Sequence, residues 1–224
     1  MKDDLTAEDW INKLLDKLNV EYEAERIPVI IEEFSELQQC FGNVAKKVKK
    51  DGGRLHAGWL IHSDGKFLVE AERHVVWENE NGELIDITPQ ETNVTDVLFV
   101  SDDVDDVRSC RDVDNLRINK TGNALVDDFI KVCETLTAIT SLGERIDDYR
   151  VVLDDDIAPY VSKYGIFKNC IYDLLCQGGT QKSLCFCGRG QIYDQCHGKG
   201  LTQMCNRELD QIKRKIYRRN KNRN

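Results

Sequence analysis

Three features of the 224-residue chain predict an α+β fold. Helical spacing of apolar residues runs over 6–19, turn-punctuated apolar runs occupy 56–100, and helical spacing returns from residue 124. Antiparallel strands therefore belong to the N-terminal part. Helices follow, and a small Cys/His-rich, Gly-rich knuckle interrupts them near 185–198. The expected division is an α+β domain over 1–120, a helical segment over 121–180, and a knuckle with a basic helix over 181–224, with Gly178-Gly179-Thr180 marking the last boundary.

Each element has a local reason. Thr6 is a good N-cap with Asp9 three positions on, and Trp10, Ile11, Leu14, Leu15 and Leu18 share one face of the helix that follows. Pro28 opens a short apolar run, Val29-Ile30-Ile31. A second helix covers Cys40 to Lys50 and stops at Gly52-Gly53. Strands are expected over 56–62, 66–78 and 83–88, with turns at Ser63-Asp64-Gly65 and Glu80-Asn81-Gly82, and a fourth over Val97 to Val100. The stretch from Ser101 to Asp114, with six aspartates, reads as a solvated loop, and it lacks the glycine-turned spacing of an EF-hand. Helices are predicted over 124–148, 158–177 and Leu201 to Arg219, the last with Leu209, Ile212 and Ile216 as its apolar stripe.

Composition bounds the function. No apolar run approaches the roughly 20 residues that span a bilayer, and the acidic start Met1-Lys2-Asp3-Asp4 has no apolar signal region. A cytoplasmic protein without a membrane segment is expected. Nine cysteines in such a setting point to metal binding or a reactive thiol rather than to disulfides. From Arg207 onward eight basic residues face two acidic ones, a balance of +6; the whole chain carries −9, which leaves −15 on residues 1–206. Such a tail contacts an anionic partner, nucleic acid or ribosome, or is a solubilising end, or docks on the protein's own acidic surface.

The knuckle reads Cys185-Phe-Cys187-Gly-Arg-Gly-Gln-Ile-Tyr193-Asp-Gln-Cys196-His197-Gly. Two close ligand pairs separated by eight residues can fold onto one ion, and Cys3His is a standard tetrahedral zinc set. Gly188 and Gly190 permit the tight turn that aims backbone amides at thiolates, and Tyr193 supplies apolar cover. Four protein ligands leave no open position, so the expected Zn2+, one per chain, is structural. The spacing C-x-C-G-x-G-x-x-Y-x-x-C-H-G resembles the SEC-C motif, first noted at the C-terminus of the bacterial preprotein translocase motor. The resemblance covers about residues 184–199. It implies zinc and a module that docks on partners or ribosomes, not the motor itself, since no Walker motif is present.

A second constellation lies in the first half. Cys40 stands at a helix start, after Gln38 and Gln39; His74 lies in the long second strand and Asp86 in the third. A helix N-terminus favours a thiolate, a histidine can take and return its proton, an aspartate can orient the histidine, and a glutamine can donate to an oxyanion. A three-residue loop, Glu80-Asn81-Gly82, pairs Asn79 with Glu83 and sets Asp86 opposite Val76, diagonal to His74 on one face. Cys40-Phe-Gly-Asn43-Val44, His74-Val-Val-Trp77 and Gly82-Glu-Leu-Ile-Asp86-Ile-Thr88-Pro89 resemble the cysteine helix and the histidine and D-x-T strands of the papain-like/transglutaminase-like superfamily. The resemblance covers roughly 34–90 and implies a papain-like or transglutaminase-like domain. The implied activity is hydrolysis or acyl transfer at an amide, thioester or isopeptide carbonyl of a protein substrate. Protease, deamidase and transglutaminase use the same parts.

Each residue also has a plainer role: Cys40 as a small core residue, His74 as a partner of Glu70 or Glu72, Asp86 as a turn cap. His56 and His62 are alternative histidines without a following D-x-T strand. The alternative function is a non-enzymatic zinc-containing adaptor that binds ribosome, RNA or a protein partner through residues 185–224. A catalytically dead papain-like fold is a third possibility.

Overall fold

The computed structural model describes residues 5–63, 65–102, 104, 106–146 and 150–223. The chain forms two compact units, residues 1–118 and 119–224, and each is described by itself.

In the first unit α1 (Ala7–Leu18) starts at a complete capping box, Thr6 and Asp9 bonding reciprocally, and ends at Asn19 in the left-handed conformation. The strands are β1 (Glu25–Pro28), β2 (Arg54–His62), β3 (Leu68–Glu78), β4 (Leu84–Ile85), β5 (Asp96–Ser101) and β6 (Leu116–Asn119). They form one sheet in the order β1-β5-β2-β3-β4, with β6 on β3. The helix α2 (Cys40–Asp51) ends at Gly52, whose φ is 77°. The turn at Ser63-Asp64-Gly65 has its centre, Asp64, outside the described residues.

The third expected strand is shorter than predicted. Its ladder with β3 covers Leu84 and Ile85, and Asp86 then changes partner. Its N–H donates to the Pro28 carbonyl at 3.0 Å, and its own carbonyl accepts from Ile30 N–H at 2.9 Å, a parallel bridge that joins the two ends of the strand order. The sheet thus closes on itself around Ile27, Val76 and Phe99. Gly58 is required there, because a Cβ on it would stand 2.2 Å from the Phe99 ring.

Two clusters pack helices on the sheet. Leu14 of α1 joins Trp59, Ile61, Val69, Ala71 and Val100; Phe41 and Val44 of α2 join Ala57, Val75, Ile87 and Cys110. The second cluster corrects one expectation. The aspartate-rich stretch, read as a loop, contains a 3-10 turn over Val107–Asp112, because Cys110 is buried on β2 and β3 and accepts a hydrogen bond from Arg73 at 2.7 Å. Asp103 and Asp105 lie outside the described residues.

In the second unit α3 (Ala124–Thr140) packs against α4 (Ala158–Cys176) and α5 (Leu201–Arg223). The first of these helices was expected to reach residue 148, but it ends at Thr140 and a hairpin follows, β7 (Glu144–Arg145) with β8 (Val151–Val152). The reason is Gly143: a Cβ there would lie 2.4 Å from Val151 and 2.7 Å from the Val152 carbonyl oxygen, so the chain turns where only glycine fits. Residues 147–149 lie outside the described ones. No helix among the described residues is long and apolar enough to cross a membrane.

Candidate functional sites

The first site forms where α2 begins. Cys40 is the first residue of the helix, so its amide belongs to the unpaired N–H groups of a helix start. Cys40, Gln38 and His74 line one cleft of about 650 Å3. Gln38 has φ +62°, an uncommon conformation for a residue with a side chain, and one that turns the chain into the helix beside the cleft. Gln39 is the helix N-cap and is absent from the cleft lining.

The hairpin register sets the other two residues. Trp77 faces Ile85 and Glu78 faces Leu84, Asn79 N–H donates to Glu83 O at 3.1 Å, and Gly82 takes φ 81°. This is the register of a three-residue loop, and it leaves Asp86 diagonal to His74 on one face. His74 Nε2 donates to Asp86 Oδ1 at 3.1 Å, and both side chains are buried. Asp86 also accepts from Thr88 N–H and from Gln90 Nε2, each at 2.9 Å. These bonds hold the carboxylate in place, which in turn holds the imidazole with Nε2 protonated.

Nδ1 of His74 is buried and completes no hydrogen bond. Cys40 nevertheless interacts with the ring. Burial lowers the basicity of His74, but electrostatic interaction with Cys40 and with Asp86, together with the Asp86 hydrogen bond, outweighs it and raises the pKa well above the usual histidine value.

Two supporting residues, Asn43 and Gln90, have no role that the sequence alone assigns. Asn43 is fully buried; its Oδ1 accepts from Glu36 N–H at 2.9 Å, and its Nδ2 donates to the Glu36 carbonyl at 2.8 Å and to Thr88 Oγ1 at 3.3 Å. It thereby ties the segment before Cys40 to the segment after Asp86. Replacing it with alanine removes both bonds to the Glu36 backbone and empties space at a fully buried position, so Asn43→Ala is expected to lower the unfolding free energy by about 2–3 kcal/mol. A urea titration reads this as a lower midpoint at unchanged slope. Gln90 and Glu72 also line the cleft. Of the alternative histidines, His62 bonds Glu72 at 2.9 Å at the cleft, whereas His56 lies outside the cleft lining, between Glu78 at 2.7 Å and Ser101 at 2.9 Å.

The second site is in the other unit. Gly188 and Gly190 both take φ 74°, and the turn they make brings Cys185, Cys187, Cys196 and His197 together with all donor atoms within 4.8 Å of one another. Cys185 Sγ lies 3.1 Å from His197 Nδ1, and Cys187 Sγ lies 3.5 Å from Cys196 Sγ. None of the chain's cysteines is in a disulfide. The Arg189 N–H lowers the pKa of Cys187 by hydrogen bonding to its thiolate, while burial and the adjacent thiols push Cys196 up to about 11. Three sulfurs and one imidazole nitrogen at these separations fit a single metal ion. Bonds of about 2.3 Å to sulfur make a tetrahedral edge of about 3.8 Å. The imidazole stacks on Phe186, centroids 5.0 Å apart, and meets Phe167 of α4 edge-on at 5.3 Å. Tyr193 is buried beside Asp128, whose carboxylate accepts from Gln181 at 2.7 Å.

The basic tail divides. Arg219 pairs with Asp154 and Asp156, and Lys215 lies over the Tyr160 ring, so part of the charge docks on the unit's own surface. No protein-family model matches the chain, and neither a curated protein nor a solved structure matches it.

Proposed function

We propose that residues 1–118 form a papain-like or transglutaminase-like domain that performs thiol-dependent hydrolysis or acyl transfer at an amide, thioester or isopeptide carbonyl. The observation that carries this reading is the convergence of Cys40, at a helix start, and His74 on one cleft, with the buried Asp86 bonded to the imidazole. Cys40 Sγ attacks the carbonyl carbon, and its proton passes to His74. The carbon–heteroatom bond then breaks as His74 protonates the leaving group, giving a thioester at Cys40. Water or an amine, deprotonated by His74, attacks the thioester and releases Cys40. Asp86 orients the imidazole and balances its charge. The Cys40 amide and the Gln38 side chain are the candidate oxyanion donors. The test is alkylation by iodoacetamide followed by peptide mass spectrometry. Cys40 is expected to react fastest among the nine cysteines, and His74→Ala to slow it. Uniform slow labelling would remove the enzyme reading.

The metal at the knuckle is zinc in this reading, and residues 185–197 form a SEC-C module. Zinc, when bound, supplies a cross-link that fixes the two ligand turns together. The chain's own contribution is the thiolate set, the glycine turns and the aromatic wall of Phe186 and Phe167.

A second reading, an adaptor that contacts RNA or ribosome, is favoured by the outer face of α5. Arg214, Tyr217, Arg218 and Lys221 fall at helical spacing on its exposed side, and Tyr217 is 70% exposed. Deleting 207–224 is a poor test, because it removes buried Ile212 and Glu208, the partner of Lys163 at 2.7 Å and of Tyr164 at 3.1 Å. Paired Arg214→Glu and Arg218→Glu changes keep those contacts. If this face binds RNA, affinity falls steeply with salt in the wild type and with a shallower slope in the variant. Affinity independent of salt removes this reading.

A further inference from the structure

We infer that the Cys40 cleft selects basic peptide segments, with a lysine or arginine side chain seated against Glu72 next to the reacting carbonyl. This inference rests on the thiol reading above.

The lining is acidic and apolar. Glu70, Glu72, Glu91 and Asp96 face the cleft, Arg26 is the one guanidinium among the lining residues, and no lysine is present there. The pairs inside this set decide which charge is left for a substrate. Arg26 is engaged with Asp96. Glu70 is held by Arg117 and by Asn115, each at 2.8 Å. Glu91 has no ion-pair partner among the described residues, and Glu72 is bonded to the His62 ring and has no lysine or arginine partner among them.

Glu72 also has the right position. It stands two residues before His74 on β3, so the two side chains leave the strand on one face. The two charges interact, and the Glu72 pKa is lowered, chiefly by the His62 hydrogen bond and further by the charge on His74. Its side chain is 43% exposed, open to the cleft rather than consumed by the core. Leu37, Leu60 and Pro89 supply apolar wall nearby. A carboxylate at the end of an apolar wall suits a side chain with an aliphatic stem and a cationic head. Within residues 1–118, 14 basic residues face 27 acidic ones, and this net charge of −13 adds a long-range field of the same sign that draws cationic segments toward the unit.

The inference is tested with three methanethiosulfonates that differ in charge: neutral ethyl, cationic aminoethyl and anionic sulfonatoethyl. Each transfers its alkylthio group to the attacking thiolate and releases methanesulfinate. Rates at Cys40 are read by peptide mass spectrometry on the full chain and normalised to a free thiol in the same buffer. The cationic reagent is expected to outpace the anionic one on the order of tenfold at low salt. Raising salt toward about 1 M, where the Debye length is about 3 Å, should compress the ratio. Glu72→Gln should reduce the low-salt ratio by about threefold or more, which separates the carboxylate's share from that of the thiolate itself. A ratio at or below unity, or one unchanged in a folded Glu72→Gln protein, overturns the inference while the thiol reading stands. If Glu72→Gln does not fold, the wild-type salt series decides, and a ratio flat in salt overturns the inference. Failure of the neutral reagent to modify Cys40 overturns the thiol reading and this inference with it.

Discussion

Cys196→Ser is expected to release the metal proposed for the knuckle and to unfold much of residues 119–224, while residues 1–118 keep their cooperative transition. The expectation follows from how the knuckle is built. Cys187 and Cys196 stand 3.5 Å apart, and the free Cys196 thiol is pushed up to about 11. A bound cation reverses that penalty, since it takes thiolates as ligands. Apparent zinc affinity in finger peptides is worth about 10–16 kcal/mol, comparable to the whole stability of an ordinary domain at about 5–15 kcal/mol. The ligands are also wired into the helices. His197 and Phe186 pack on Phe167 of α4, and buried Leu201 and Cys205 begin α5 immediately after the ligands. Loss of the metal therefore loosens the helical core as well as the loop. Elemental analysis of the wild type should return one zinc per chain, and the variant should return far less. Hydrogen exchange should show protection lost over 158–212 and retained over β2 and β3. Wild-type protein that holds no metal, or that carries a disulfide among these four cysteines, contradicts the reading.

Cys40→Ala abolishes the proposed acyl chemistry with the fold intact, and Asp86→Asn impairs it less completely. Removing the nucleophile is expected to cost on the order of 10⁴-fold or more in kcat/KM, because proximity and oxyanion contacts alone leave only a residual rate. Cys40 is only partly buried at the rim of the α2 cluster, so the alanine removes little packing. Asp86→Asn keeps the shape, but it loses charge beside His74 and places an amide among the donors Thr88 N–H and Gln90 Nε2. Its rate should fall by about 10²–10⁴-fold, and the variant should lose some stability. The same pair governs a pH effect. The pKa of His74 is raised in the folded state, so its charge stabilises the fold in full below the ordinary histidine range. That contribution is lost as pH rises through the raised value. Asp86→Asn should pull the His74 titration toward the ordinary value, which ring-resolved NMR reads directly. Equal activity in Cys40→Ala and wild type contradicts the nucleophile assignment.

Local interactions were legible in the sequence because their partners lie a few residues apart. The Thr6–Asp9 capping box, the helix start at Cys40 and its stop at Gly52, and the loop that sets Asp86 diagonal to His74 all depend on short-range backbone geometry. The convergence of Cys185, Cys187, Cys196 and His197 was legible for the same reason: the two pairs are close in sequence, with glycines at the turns between them. Other features needed contacts between distant segments. Helical spacing alone carried α3 toward residue 148; the close approach of Val151 and Val152 to Gly143 ends it at Thr140. The strand pattern carried the third strand to residue 88, but Asp86 pairs with Pro28 and Ile30 once the sheet closes. The sign of the tail's charge was plain, yet which cations it leaves outward depends on Asp154 and Asp156, more than sixty residues away. Asn43 and Gln90 looked like ordinary polar residues. Asn43 became a clamp only when Glu36 and Thr88 met across it, and Gln90 became a support for Asp86 only when the chain after β4 curled back. The physical division is one of range. Dihedral preference and capping act within a turn or two of the chain, whereas burial and the pairing of buried polar groups are settled by whatever the closed fold brings alongside.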